Sequence, residues 1–187
     1  MKIAEFYSRN KNTINIAIGV ILLYGILKMA KGKTLTESQF KSEILKGGIY
    51  NPLKGKLIQT SPFGYRTHPV TGKSSVFHNG SDLVLRGGNS LGAPLYAPYS
   101  GTIIKNEYNS IGGHQVVLDS GYIKFGFAHL QEKSPLKVGT VVKRGDIIGK
   151  LGNSGTGTGP HLHFNVRIND VFVDPIKTLP LLKSAIA

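Results

Sequence analysis

The chain has 187 residues, about one domain's length, and is 40% apolar and 18% charged, which excludes a disordered tail and a coiled coil. Cysteine is absent, so disulfides, thiol nucleophiles and thiolate metal sites are excluded as well. The formal net charge of +13 favours an anionic partner such as nucleic acid, acidic lipid or an anionic cell wall. The excess is spread along the chain, with 8 basic and 3 acidic residues in 1–46 and 15 and 7 in 47–187. No extended run of Lys or Arg and no nucleic-acid module occurs, so no nucleic-acid partner is expected.

In chain order, the first feature is an uncharged stretch from Asn12 to Leu27, with Ile14–Leu27 reading INIAIGVILLYGIL. Lys28 can snorkel, which extends the membrane-compatible stretch to Ala30 and gives roughly 16–19 residues, the lower edge of a spanning helix. Lys2, Arg9 and Lys11 precede it and Lys28, Lys31 and Lys33 follow. A small-x-small cleavage site is lacking, so residues 1–30 are expected to form an uncleaved N-terminal hydrophobic helix that associates with a membrane through Ile14–Ala30. Similar charge at both ends leaves its orientation open. Residues 31–56 are polar and Lys-rich and read as a linker, with a helix at Thr36–Leu45 capped by Thr36. Gly47-Gly48 and Asn51-Pro52 break that pattern.

From Leu57 the sequence changes to short alternating runs punctuated by Gly, Pro, Asn and Ser. Ala93–Tyr96, Gly101–Asn106, Gln115–Leu118, Ile123–Ala128, Thr140–Val142, Ile147–Leu151 and His161–Ile168 read as strands. The stretch from Val138 to Gly149 reads as strand, tight turn and strand. No useful helical period occurs between Leu57 and Val173, so residues 57–176 are expected to form a compact all-β domain, an antiparallel sandwich or barrel, with 177–187 as a tail.

Six histidines are present: His68, His78, His114, His129, His161 and His163. Without thiols, a transition-metal site must use imidazole and carboxylate, the donor set of a catalytic rather than a structural zinc. His78-Asn79-Gly80-Ser81-Asp82 places a carboxylate four residues beyond an imidazole, with Gly80 able to bend the chain between them. His161-Leu162-His163 puts two imidazoles on one face of a strand, so that one can bind metal while the other handles protons. His129, near a predicted strand end, can supply a second free imidazole. His68 and His114 read as ordinary histidines. Asp119, Asp146, Asp170 and Asp174 lie in turn-like contexts where carboxylates cap backbone N–H groups.

At these residues the sequence resembles the lysostaphin-type zinc metallopeptidases, the M23 family that cuts peptidoglycan cross-links. The resemblance runs from Ser61 to Pro175. It takes in Gly64-Tyr65-Arg66-Thr67-His68-Pro69, the HNGSD segment, Ala93–Pro98, Ala128-His129-Leu130, the stretch VGTVVKRGDIIGKLGNSGTGTGPHLHF and Val173-Asp174-Pro175. It implies that His78, Asp82 and His163 bind Zn2+. It further implies that His129 and His161 are the unligated pair, which orients and deprotonates the attacking water, stabilises the tetrahedral intermediate and protonates the leaving amine. The glycine-rich Gly152–Gly159 segment becomes either a wall of the substrate groove or merely a flexible turn into the catalytic strand. Three departures stand out. Asn165 occupies a position where members often carry Glu, Gly113-His114-Gln115 replaces a frequent Gly-Asn pair, and Thr71–Phe77 lacks the Tyr that some members use for the oxyanion, for which Tyr65 and Tyr99 are candidates.

The expected function is therefore a zinc endopeptidase acting on bacterial peptidoglycan at the cell envelope, membrane-anchored or of phage origin. The basic charge would hold it near an anionic wall. The alternative is a catalytically silent wall-binding or activator module with the same fold. Against that alternative, all five metal and proton-handling positions are filled. A biotinyl- or lipoyl-type carrier, suggested by VKRGDIIGKLG, lacks the Lys neighbours of such domains and leaves the histidines unexplained.

Overall fold

A capping box opens the first helix. Thr36 Oγ1 accepts from Gln39 N at 3.3 Å while Gln39 Oε1 accepts from Thr36 N at 3.0 Å, so two otherwise orphaned donors are satisfied reciprocally. The structure is a computed structural model that describes residues 35–46, 48–67, 72 and 74–186. Helix α1 spans Glu37–Leu45. The expected hydrophobic segment Ile14–Ala30 lies outside the described residues, and among those described no helix is long and apolar enough to cross a membrane.

The rest is antiparallel β structure, in keeping with the all-β expectation. The strands are β1 (Leu57–Ser61), β2 (Gly64–Arg66), β3 (Val76–His78), β4 (Ser81–Leu85), β5 (Pro94–Tyr96), β6 (Gly101–Asn109), β7 (Gly113–Asp119) and β8 (Ile123–Leu130). Then follow β9 (Val141–Val142), β10 (Ile147–Lys150), β11 (Leu162–Ile168) and β12 (Val171–Val173), with short helices α2 (Pro175–Thr178) and α3 (Pro180–Ala185) at the end. The main sheet runs β1-β4-β11-β8-β7-β6-β9, with β12 beside β11. The pairs β10–β5 and β2–β3 form separate two-stranded sheets. The two strands of the Val138–Gly149 stretch therefore part company, β9 joining β6 and β10 joining β5.

Strand β11 shows why the sheet has a dry and a wet face. Leu162, Phe164 and Val166 are fully buried while His163, Asn165 and Arg167 are half-buried, the period of two that a strand imposes. Phe164 stacks parallel to Phe125 at 6.2 Å and edge-on to Phe127 at 5.4 Å. Leu95 of β5 and Ile148 of β10 join the same apolar cluster. On the opposite face of β8, Gly126 and Ala128 stand across from Asn165 and His163, and their small size leaves that face open.

The segment expected as a polar linker belongs to this core. Leu35, Phe40, Ile49 and Leu53 are 4%, 7%, 3% and 1% exposed, and Phe40 packs on Tyr122 with ring centroids 5.6 Å apart. Leu35 is pinned through backbone bonds to Ser120 and Tyr122. These apolar residues follow no helical or strand period, so the Lys-rich composition around them masks their role. The expected tail is likewise docked. Asp174 accepts from Ile176 N and Lys177 N to cap α2, and Leu179 and Leu182 are buried.

Leu53→Ala is expected to cost about 2–5 kcal/mol, the range for a buried leucine, measured by urea unfolding. A linker residue would change stability by less than about 0.5 kcal/mol.

Candidate metal centre

His78 ends β3 and Asp82 lies in β4, with Gly80 in the turn between them. Asp82 is the register partner of His163 on β11, and His163 is in turn the partner of Ala128 on β8. Gly80 is required here for room, not for an unusual φ. A Cβ on it would lie 2.6 Å from the Phe164 carbonyl oxygen and 2.8 Å from His163 Nε2.

Three ligand-type atoms converge. His78 Nε2, Asp82 Oδ1 and His163 Nδ1 are mutually separated by 3.1, 2.9 and 2.9 Å. The far nitrogen of each ring is already committed. His78 Nδ1 donates to the Pro62 carbonyl at 2.7 Å, and His163 Nε2 donates to Asn79 Oδ1 at 3.0 Å. In the neutral rings, the two nitrogens that face each other therefore carry lone pairs, and Asp82 adds a third. Three acceptors this close with no hydrogen among them repel one another unless a cation lies between them. The spacing suits ligands that share an ion about 2.0–2.2 Å from each. Burial opposes charge on Asp82, but His163 and His78 hold its carboxyl well below the usual carboxylate range. Burial pushes the His163 imidazole below its ordinary value despite Asp82, keeping it neutral as a ligand must be. Arg66 Nη2 stands 3.7 Å from the other carboxylate oxygen, Asp82 Oδ2, an ionic approach longer than a hydrogen bond.

Beside this triad lie the other two expected histidines. The His129 and His161 ring centroids are 4.6 Å apart, and His129 is 6.2 Å from His163. Each is tethered by Nδ1 to a backbone carbonyl at 2.7 Å, His129 to Ser154 and His161 to Gly159, so in the neutral rings Nε2 is the free acceptor. Burial lowers the His129 proton affinity, opposed by its bond to Ser154. His129 sits in a bulge of β8. His114 pairs with Leu130 and Val116 with Phe127, leaving Ala128 and His129 opposite Gln115 alone. Its φ is +61°, a left-handed conformation that costs a residue with a side chain about 1–2 kcal/mol.

All five residues line one cavity of about 600 Å³. Val76 and Phe77 form one wall, the Asn109–Gly112 turn a second, and Thr156 and Thr158 a third. The glycine-rich segment thus does two jobs, shaping the cavity and presenting the carbonyls that hold His129 and His161. Its Gly155 has φ +79° and leaves no space for a Cβ beside Ile111 O and Gly113 N. Neither candidate tyrosine lines the cavity, Tyr65 being 78% exposed against Phe77 and Tyr99 belonging to the core. His114 packs on Tyr108 outside the cavity lining, and His68 lies outside the described residues. Asp119, Asp146 and Asp174 accept from nearby backbone N–H groups, whereas Asp170 pairs with Lys124. The sequence reading gave no role to Asn79, Arg66 or Gln115. Each nevertheless lay in a segment already singled out: Asn79 inside the His78–Asp82 interval, Arg66 in GYRTHP and Gln115 in Gly113-His114-Gln115.

An antiparallel β domain with a His/Asp/His cluster able to hold a metal ion and two further imidazoles in one cavity has the build expected of a metallohydrolase. The profile of Peptidase family M23 matches residues 76–175, and the chain belongs to that family. The peptidoglycan DD-endopeptidase ShyB of Vibrio cholerae is 39% identical over 121 residues, covering 64% of this chain and 27% of its own. Among solved structures, a zinc-containing peptidase from Vibrio cholerae aligns with TM-score 0.52 and 31% identity over 67% of this chain and 39% of its own. The catalytic domain of lysostaphin from Staphylococcus simulans aligns with TM-score 0.55 and 32% identity over 67% of this chain and 91% of its own. The aligned part spans just over a quarter of the curated relatives' length.

Two stability measurements check the site. His129→Gly is expected to be about 1 kcal/mol more stable than His129→Ala, because both lose the ring and only glycine relaxes the left-handed backbone; equal thermal midpoints would contradict this. His129 and His163 bind protons less readily when folded, so the unfolded chain takes up more protons once the pH falls below about 6.5. Their contribution is complete above that value and is lost as pH falls through the lowered folded values. The urea midpoint of chelator-treated protein should therefore drop between about pH 7.5 and 5.5, and a midpoint that held or rose would contradict the assignment of neutral buried rings.

Proposed function

We propose that this chain is a zinc-dependent endopeptidase that hydrolyses peptide cross-links of bacterial peptidoglycan. The observation that carries the proposal is the triangle of three lone-pair atoms, 2.9–3.1 Å apart, with two tethered imidazoles in the same cavity. His78, Asp82 and His163 would hold the ion. Bound zinc supplies Lewis acidity, which lowers the pKa of a coordinated water toward ~7 and polarises the amide carbonyl.

The remaining steps belong to the chain's own residues. His129 and His161 present free Nε2 atoms to the cavity, and one of them takes the proton that water loses as it attacks the carbonyl. The protonated ring then delivers that proton to the departing amine nitrogen, so the products are one new carboxylate and one new amine. The other ring can donate to the developing oxyanion only when it carries a second proton at Nε2, its Nδ1–H being spent on a backbone carbonyl; among the described residues no tyrosine lines the cavity to share that duty. The Ser154 and Gly159 carbonyls fix both rings in advance, which removes reorganisation from the barrier. The relatives named as peptidoglycan endopeptidases support the substrate class. They also favour action at the cell envelope, where the anchor expected at Ile14–Ala30 and the charge of +13 would hold the enzyme against an anionic wall.

The test is to incubate the full zinc-loaded chain with purified peptidoglycan and read the products by mass spectrometry. New amine and carboxylate ends are expected, abolished by a chelator and restored by zinc. His129→Ala and His161→Ala should each lower the rate roughly 10²–10⁴-fold. A folded, zinc-loaded chain that binds walls of every cross-link type and cuts none would instead establish the wall-binding or activator module.

A further inference from the structure

His129 is held at two points. Its backbone N–H donates to the Gly112 carbonyl at 2.8 Å, and its Nδ1 donates to the Ser154 carbonyl at 2.7 Å. The second tether is only as firm as Ser154, which lies in the glycine-rich loop outside every strand. The Ser154 side chain supplies that anchorage. Its Oγ accepts from His114 N at 3.0 Å and donates to the Leu130 carbonyl at 2.5 Å. His114 on β7 and Leu130 on β8 are register partners, and they close the ladder just beyond the bulge at His129. One hydroxyl therefore spans the two strands at the residue after His129, while the carbonyl of the same serine holds the His129 ring. The fit is close, since a Cβ on Gly113, whose φ is +62°, would lie 2.2 Å from Ser154 Oγ. Two other side chains of the loop make hydrogen bonds, and both reach only loop or turn atoms, Asn153 to Gly159 N and Thr156 to the Ile111 carbonyl.

We infer that Ser154 is a positioning residue for His129. Its hydroxyl, wedged between β7 and β8, locks in place the carbonyl that selects the His129 tautomer with Nε2 free. Alanine at this position leaves the His114 N–H and the Leu130 carbonyl without their relay, and the carbonyl of residue 154 loses its fixed distance from the ring. The consequence for rate rests on the peptidase reading, because a small misplacement of a proton-transfer group is costly there. The consequence for the ring rests on geometry alone.

The test follows the His129 ring in the full zinc-loaded chain by proton–nitrogen correlation spectroscopy at alkaline pH, where the imidazoles are neutral, with His129→Ala to assign the signal. The parent is expected to carry the His129 proton on Nδ1 alone. Ser154→Ala should give a mixture of the Nδ1–H and Nε2–H forms, and Ser154→Thr, which keeps the hydroxyl, should restore the parent pattern. Ser154→Cys fills nearly the same space with a weak donor and should also give the mixture, which covers an alanine variant that does not fold. At matched zinc content, Ser154→Ala should lower kcat on cross-linked peptide roughly 10–100-fold with KM changed less than about 2-fold. In the His129→Ala background it should lower kcat no further, because its effect passes through that ring. A single Nδ1–H form in Ser154→Ala or Ser154→Cys, or a rate loss that multiplies with that of His129→Ala, would overturn the inference. The spectrum needs no turnover. A tautomer shift in a chain whose parent cuts no peptide would therefore support the positioning role and overturn the peptidase reading alone.

Discussion

The pairing of β11 between β4 and β8 is the constraint on which the cavity depends. One register sets Asp82 opposite His163, and the other sets His163 opposite Ala128. Side chains alternate with a period of two, so a slip of one residue would send His163 into the core and bring Phe164 out. The stack of Phe164 on Phe125 and Phe127 opposes that slip, because burying each ring is worth about 1.5–3 kcal/mol. The apolar face of β11 thus holds the polar face in place, and hydrophobic packing stabilises a cluster of electron pairs that has no cohesion of its own.

The same economy governs the imidazoles. Each of the four rings in the cavity has one nitrogen fixed by an oxygen acceptor: Pro62, Asn79, Ser154 or Gly159. Tautomer and orientation are therefore decided by two loops and a turn residue, not by the ring's own position in a strand. The bulge at His129 serves this arrangement directly. An ordinary strand residue there would follow the alternation of β8, whereas the extra residue and the left-handed backbone turn the ring toward His161.

Much of this was legible in the sequence because the signals were local. His161-Leu162-His163 fixes two rings on one face by strand geometry alone, and His78-x-x-x-Asp82 is short enough to meet one ion. The strands from Pro94 to Ile168 announced themselves by alternation between Gly and Pro breaks. Other features depend on contacts distant in sequence. Leu35, Phe40, Ile49 and Leu53 are separate apolar residues in a Lys-rich stretch, and only the surface they cover, around Ser120–Tyr122 and the core, shows them to be structural. The reason for Gly80 also differs from the sequence reading, since it is the approach of His163 and Phe164 that forbids a side chain there. Arg66 and Arg167 lie 101 positions apart in the chain, and only the folded sheet brings them to one cavity.

The docking of Leu35 bears on how the domain carries mechanical load. Leu35 exchanges backbone bonds with Ser120 and Tyr122, at the turn that follows β7, whereas the cavity rim at Gly112 immediately precedes β7. The strand between them is seven residues long, so Leu35 docks roughly 20 Å from the rim. A pull transmitted along the backbone to residue 35 would load those two bonds and the Phe40–Tyr122 contact first. His78 on β3 and His163 on β11 belong to neither contact, so tension on Leu35 is borne away from the cavity.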